Sequence, residues 1–357
     1  MYILVLPVSG GGFVIQLAIL EYLCEANIVP DVMLASSGGN VAAYIAAAAN
    51  WKWAGIERIA REMSQTLFAR PWNSVMFISM IVGYFKGNIY NKGDGVGDFL
   101  SRYFTKETIK KYEIWTGTYN KKRQQTRLFC NREKEESILD ISCIDHDLTQ
   151  SMEPVFTKGN MEMIAKAGVA SASIPGVVPP EIIMDEEYVD GGVAGASPLT
   201  IMQEPILKYT RDNKESLHLI YVNSDDLSSH DVKTGHNLFD TLRQATEDLI
   251  RFQTVIDRLS GYELLRCQNG TINKDEFICN YENIARVKKI QGMIKYSMLE
   301  IYPTADFDIE LSKFTGCDVI NAIHIAYKNC KCRFWWITNE DKEAEIYDLI
   351  DQCKTTI

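Results

Sequence analysis

The sequence predicts an α/β protein with a mainly parallel central sheet, from two features near the start of the chain. Two short apolar runs, "YILVLPV" and "DVMLAS", have the composition of strands buried on both faces. Between them, "FVIQLAILEYLCEAN" carries Leu17, Leu20 and Leu23 at helical spacing. Strand, helix and strand in this order form a βαβ unit, and such a crossover joins parallel strands.

The other elements follow from composition and periodicity along the chain. Predicted strands are "QTRLFCNR", a hairpin over residues 181–190, "LHLIYVN" at 217–223 and "EIYPTADFDIEL" at 300–311. Predicted helices are the alanine-rich "GGNVAAYIAAAAN", "EMIAKAGVASAS" ended by "IPGVVPP", the amphipathic "LFDTLRQATEDLIRFQTVIDRL" and "GCDVINAIHIAYKN". Residues 51–120 are predicted to be mixed helix and loop.

Composition and charge exclude several classes of protein. The 357 residues are 46% hydrophobic and carry a net charge of −10, which argues against a nucleic-acid partner and against docking on anionic membranes by charge alone. The longest apolar run, residues 74–85, is too short to span a bilayer. Nine scattered cysteines favour free thiols in a reducing compartment. We therefore expect a cytoplasmic protein without a signal peptide, whose membrane contact would be apolar and peripheral.

A serine between the second strand and its helix is the candidate nucleophile. Ala35-Ser36-Ser37-Gly38-Gly39 is a G-x-S-x-G motif with alanine in the first place. A nucleophile elbow needs this context, because a sharp turn with small neighbours holds the serine Oγ out at the end of the sheet. A glycine and serine turn that merely feeds a helix fits the motif equally well, so the position after a buried strand is what favours Ser37.

Three consecutive glycines, Gly10, Gly11 and Gly12, end the first strand and cost conformational entropy on folding. Both glycine loops lie at the carboxyl ends of parallel strands, where open α/β sheets bind ligands. Acyl transfer through a serine forms an oxyanion that needs fixed backbone donors. These glycines and the N–H of Gly38 are the candidate oxyanion hole. A tight turn without a ligand is the alternative.

The candidate base is Asp190 in "YVDGG", because no histidine has a telling context. This carboxylate ends a predicted strand, and the two glycines after it leave room for close approach. An aspartate within hydrogen-bond reach could accept the serine proton directly. A turn aspartate that closes a hairpin remains the alternative. Cys330 and Cys332 are the only close cysteine pair and lack the spacing of a zinc site, so we expect no metal and no cofactor.

Four motifs in order give the chain its resemblance to a known family. They are "GGG" at 10–12, the elbow at 35–39, "ASASIPGVVPP" at 170–180 and "VDGG" at 189–192, and together they resemble the patatin-like phospholipases. "DIELSKFTGCDVINAIHIAYKN" also resembles the last helix of that domain. The resemblance implies a three-layer α/β/α domain over residues 1–335, followed by an acidic tail at 336–357 with a short helix.

The same resemblance implies a Ser–Asp dyad of Ser37 and Asp190, an oxyanion hole from the first glycine loop, and no part for a histidine or metal. The implied function is a serine lipid acyl hydrolase acting on lipid or phospholipid. Val14 and Ile15 depart from the family's G-G-G-x-[R/K]-G loop, which motivates an inactive binding module as the alternative. Acyl transfer to an acceptor other than water would use the same residues. Residues 74–85 could touch lipid, although an ordinary core helix is favoured.

Overall fold

The computed structural model describes residues 1–9, 12–63, 103, 105–144, 154–175, 179–194, 197–224, 238–304, 316–338 and 342–355. Its strands are β1 (Tyr2–Leu6), β2 (Val32–Ser36), β3 (Glu113–Asn120), β4 (Gln125–Cys130), β5 (Val155–Phe156), β6 (Glu181–Ile183), β7 (Glu186–Asp190), β8 (Leu217–Val222), β9 (Ile272–Ile278), β10 (Tyr296–Pro303) and β11 (Cys330–Ile337). Its helices are α1 (Phe13–Glu25), α2 (Gly38–Ala48), α3 (Trp53–Met63), α4 (Lys106–Lys111), α5 (Met161–Ser171), α6 (Pro198–Ile201), α7 (Gln203–Asn213), α8 (Leu238–Arg266), α9 (Tyr281–Gln291), α10 (Gly316–Tyr327) and α11 (Glu343–Thr355).

One sheet contains all of these strands, in the order β5-β4-β3-β2-β1-β8-β10-β11-β9, with β7 paired to β3 and β6 to β7. Its centre is parallel, because β1 pairs with β2 and β8, β2 with β3, and β8 with β10 in the same direction. The predicted βαβ unit is confirmed, with Leu6 of β1 opposite Ala35 of β2. Antiparallel pairs, β3 with β4 and β10 with β11, flank the parallel centre.

Helices cover both faces of the sheet, and strand alternation explains why both faces are apolar. Leu4 and Leu6 of β1 pack in one core with α1, α2, α9 and α10. Ile3 and Val5 of the same strand point to the other face and pack with α6, α7 and the end of α8. The predicted three-layer α/β/α fold is confirmed. Among the described helices, none is long and apolar enough to cross a bilayer.

The prediction of mixed helix and loop for residues 51–120 was wrong for its last part, which forms β3 beside β2. "EIWTGTYN" is buried at every residue except the half-buried Tyr119 but has only one aliphatic side chain, so a search for apolar runs misses it. The strand over residues 300–311 was not the last one, since β11 follows α10. The boundary predicted between residues 335 and 336 falls within β11, and α11 buries Ile346 and Ile350 in the first core.

Candidate active site

Ser37 occupies a strained backbone conformation between β2 and α2. Its φ of 53° and ψ of −128° lie in a region that residues with a side chain rarely adopt. The turn is tight because the helix behind it approaches β1: a Cβ on Gly39 would lie 2.2 Å from the carbonyl oxygen of Leu6. Glycine at position 39, two residues after Ser37, is therefore a steric requirement, as in the G-x-S-x-G motif of a nucleophile elbow.

Asp190 receives the Ser37 hydroxyl in a buried hydrogen bond. Ser37 Oγ donates to Asp190 Oδ2 at 2.6 Å, and the backbone N–H of Gly192 donates to Asp190 Oδ1 at 2.8 Å. Each side chain of the pair is only 3% exposed. Burial raises the pKa of Asp190 to about 6, against the two hydrogen bonds, which lower that pKa. Both donors are uncharged, so the carboxylate is poised to accept a proton near neutral pH.

Two strands that meet end to end along β3 bring this pair together. β2 pairs with β3 up to Ser36 opposite Gly117, and antiparallel β7 pairs with β3 from Asp190 opposite Thr118 onward. β4 occupies the other edge of β3 over the same residues. The ends of β2 and β7 are thus adjacent on one edge of β3, which places Ser37 beside Asp190 across 153 residues of sequence.

The end of α5 holds the backbone of both members of the pair. Ser171 Oγ accepts a hydrogen bond from the Ser37 N–H at 2.9 Å and donates to the Gly117 carbonyl at 2.6 Å. Two residues on, the Ser173 carbonyl accepts from the Asp190 N–H at 3.0 Å. The "ASAS" segment contributed to the family resemblance, but the sequence analysis predicted no contact between its serines and Ser37 or Asp190. The signal available was a pair of serines among alanines at a helix end.

The first glycine loop is described only in part, because Gly10 and Gly11 lie outside the described residues. The Gly12 N–H donates to the Ser9 carbonyl at 2.7 Å, within the loop itself. Gln16, which was not singled out from the sequence, accepts from the Ser9 hydroxyl and donates to the Pro7 carbonyl at 3.1 Å. Gln16 thereby ties the loop to the end of β1.

Gly38 is the first residue of α2, directly after the candidate nucleophile. The first N–H groups of a helix have no partner within the helix, and they carry partial positive charge. The Gly38 N–H therefore lies beside Ser37 where developing negative charge would be stabilised. The assignment of Gly10, Gly11, Gly12 and Gly38 to an oxyanion hole stays a prediction.

In the described part of the chain, no histidine is hydrogen-bonded to Ser37 or Asp190, and no cluster of metal ligands is found. His218 lies at the amino end of β8, where its Nδ1 is 3.0 Å from Ser297 Oγ and burial lowers its pKa to about 3. Among the residues that the structure describes, no group of three His, Cys, Asp or Glu side chains could hold a metal ion. Residues 74–85, the stretch that could touch lipid, lie outside the described residues.

A serine on a strand-to-helix elbow in an α/β fold is typical of serine hydrolases. The chain belongs to the patatin-like phospholipase family, whose sequence model matches residues 6–202. The resemblance inferred from four motifs is thus confirmed over that range, which contains both Ser37 and Asp190. A search of curated proteins finds no match. Family membership indicates lipid acyl hydrolase activity on lipid substrates.

Proposed function

We propose that the protein is a serine lipid acyl hydrolase that cleaves fatty-acyl esters of lipids or phospholipids through the dyad of Ser37 and Asp190. Ser37 Oγ attacks the ester carbonyl carbon while Asp190 accepts the hydroxyl proton. The tetrahedral intermediate collapses as the C–O bond to the alcohol breaks, and Asp190 returns the proton to that alcohol. Water, deprotonated by Asp190, then attacks the acyl carbonyl carbon. The bond from that carbon to Ser37 Oγ breaks as Asp190 returns the proton to Oγ, and the fatty acid is released.

The observation that carries the proposal is the 2.6 Å hydrogen bond from Ser37 Oγ to Asp190 Oδ2. A general base has to lie within hydrogen-bond reach of the proton that it accepts. A binding module needs neither this contact nor the strained backbone of Ser37. The contact therefore favours an enzyme over the inactive binding module.

Oxyanion stabilisation is assigned to the amides of Gly10, Gly11, Gly12 and Gly38. Since the Gly12 N–H already donates to Ser9, the described donor that best fits the role is Gly38 at the start of α2. Val14 stands where the family pattern has its basic residue, and Ile15 where it has its last glycine, so the partial positive charge of the α2 N-terminus would act without a cation at position 14.

The site of action is proposed from composition and substrate class. A lipid substrate requires contact with a lipid surface or a lipid carrier. We propose a cytoplasmic protein that meets membranes peripherally and has no nucleic-acid partner, in keeping with its net charge of −10.

Fatty-acid release from panels of phospholipids and neutral lipids tests the proposal. The wild type is compared with Ser37→Ala and with Ser36→Ala, a matched control because the neighbouring Ser36 Oγ is buried and makes no hydrogen bond within the described structure. We expect release by the wild type and Ser36→Ala and none by Ser37→Ala. No release by folded wild type from any lipid would favour the binding module. Transfer of the acyl chain to an added alcohol in preference to water would make the protein an acyltransferase.

A further inference from the structure

An exposed apolar stripe runs along α8. Phe252 is 58% exposed, Val255 42%, Leu259 56% and Tyr262 40%. Their spacing of three, four and three residues places the four side chains on one face of the helix. The other side of α8 packs on the sheet, where Leu264 and Leu265 belong to the second core. Isolated exposed apolar residues are ordinary, but a continuous stripe of four indicates a contact surface.

The stripe begins near the edge of the sheet that carries Ser37 and Asp190. The Tyr221 hydroxyl donates to the Thr254 carbonyl at 3.5 Å, whereas Gly261 lies against Leu219 and Met298. α8 therefore runs antiparallel to β8, with its earlier residues toward the carboxyl ends of the parallel strands. α8 also contacts the turn at 191–194, directly after Asp190. A surface bound to the stripe would thus lie beside the candidate active site.

The size of the stripe argues against a second copy of the chain as its occupant. Large side chains that are buried contribute roughly 150–250 Å² each, so four that are about half exposed present roughly 400 Å². A standard protein interface buries about 800 Å² on each partner. The stripe alone is too small for a stable dimer, whereas binding to a lipid surface strengthens gradually with the apolar area that is buried.

The charges beside the stripe define the kind of lipid. Among the described side chains of α8, the exposed charged ones are Asp248, Glu263 and Arg266, and the partly exposed Arg251 pairs with Asp248, so both signs border the stripe. Anionic membranes attract clusters of Lys and Arg, and a chain of net charge −10 would be repelled by them. An apolar face with mixed, balanced charges at its border fits a zwitterionic surface.

We propose that the α8 stripe of Phe252, Val255, Leu259 and Tyr262 is the face by which the protein docks on zwitterionic lipid surfaces, an inference that rests on the proposed lipid acyl hydrolase function. Docking by this face places the candidate active-site edge of the sheet beside the lipid surface. The interaction is driven by apolar burial, with Phe252 and Tyr262 as aromatic anchors at the two ends of the stripe.

Flotation with phosphatidylcholine vesicles tests the docking face, in a Ser37→Ala background so that no lipid is consumed. Phe252→Glu and Leu259→Glu should each lower the vesicle partition coefficient about tenfold or more. The matched control is Ile325→Glu, since Ile325 on α10 is 53% exposed but lies on the opposite face of the sheet, and it should bind like the parent. Anionic lipid added to the vesicles should weaken binding.

A second assay distinguishes failure of the docking face from failure of the proposed function. It measures hydrolysis of a short-chain soluble ester by the same variants, made in protein that retains the native Ser37. Phe252→Glu and Leu259→Glu should retain that rate while they lose activity on vesicles. Equal flotation of all variants would overturn the docking face, and so would a dimer in sedimentation velocity that Leu259→Glu dissociates. Absence of soluble-ester hydrolysis in the wild type would contradict the proposed function and leave the flotation result to be judged by itself.

Discussion

Asp190 and Glu300 are buried carboxylates in opposite halves of the sheet, and their partners differ in charge. Asp190, at the end of β7, accepts from the Ser37 hydroxyl and the Gly192 amide, both uncharged donors. Glu300, on β10, is 0% exposed and forms ion pairs with Arg258 of α8 and Arg333 of β11. Arg258 Nε donates to Glu300 Oε1 at 3.1 Å.

The difference shows how one fold uses buried acids for two purposes. Paired with cations, a buried carboxylate anchors elements to one another, here β10, β11 and α8. Surrounded by uncharged donors, Asp190 has its pKa raised to about 6 by burial and can take up a proton. An amide substitution at each position should therefore have opposite effects on activity and on stability.

The largest expected effect is on catalysis by the dyad. Asp190→Asn removes the proton acceptor and Ser37→Ala the nucleophile, so each should lower kcat on a soluble ester by about 10⁴-fold with little change in KM. Steady-state kinetics on protein with a wild-type circular dichroism spectrum measures this. A folded Asp190→Asn variant with kcat within tenfold of the wild type would remove Asp190 from the mechanism.

Glu300→Gln should do the opposite, with a large loss of stability and little loss of kcat. Without the carboxylate, the partly buried Arg258 loses its partner whereas Arg333 keeps its ion pair with Glu276, and the free energy of unfolding should fall by about 2–3 kcal/mol. Urea unfolding measures the loss, and kinetics below the transition shows the retained activity. Equal stability of Glu300→Gln and wild type would contradict the anchoring role.

Asp190→Asn should stabilise the protein above pH 6. Between about pH 4 and pH 6 the carboxyl of Asp190 is more protonated in the native state than in the unfolded state. The free energy of unfolding therefore falls as the pH rises through this range. The asparagine does not ionise, and its advantage should grow with pH to about 2–3 kcal/mol at pH 8. Urea unfolding of both proteins at pH 4.5 and pH 8 checks the sign. A wild type that is the more stable at pH 8 would contradict it.

A smaller effect is expected at the end of α5, where Ser171 acts as a positioning residue. Ser171→Ala leaves the Ser37 N–H without its buried acceptor, and the displaced elbow should lower kcat about 10- to 100-fold at constant KM. The control, Ser173→Ala, removes a similar hydroxyl bond to the Val169 carbonyl but keeps the backbone contact to Asp190. Thermal unfolding should place both variants at similar stability. Equal kcat values for the two would assign Ser171 a structural role only.

Much of this arrangement could be predicted from local sequence, and the rest depends on pairing between distant segments. Apolar runs and helical periodicity were enough to predict β1, α1, β2 and α2, and with them the turn at Ser37 between β2 and α2. β3 was missed because its buried polar residues find partners only in the folded protein: Thr116 donates to Asn40 of α2, and Thr118 to the Arg127 carbonyl of β4. β2 and β7 end side by side because Ser36 pairs opposite Gly117 and Asp190 opposite Thr118 of β3. This pairing register between distant segments is not encoded in any local sequence pattern.

The roles of small residues divide in the same way. The need for glycine at position 39 could be predicted, because a nucleophile elbow has a small residue two positions after its serine. Ser171 could not, since its importance arises from the tertiary approach of α5 to β2 and β3. Likewise, the three glycines predict close backbone approach, but only the structure reveals that the Gly12 N–H bonds to Ser9 within the loop.

The activation of Ser37 by Asp190 is tested most directly by a fluorophosphonate probe, whose phosphorus is attacked by an activated serine with loss of fluoride. Intact mass and peptide mapping give the site and stoichiometry, and the labelling rate is followed from pH 4.5 to 8.5. The dyad predicts one label per chain, on Ser37, at a rate that rises through pH 6 as Asp190 ionises and that is lost in Ser37→Ala and Asp190→Asn. Folded wild type that takes no label, or Asp190→Asn that labels as fast as wild type, would contradict it.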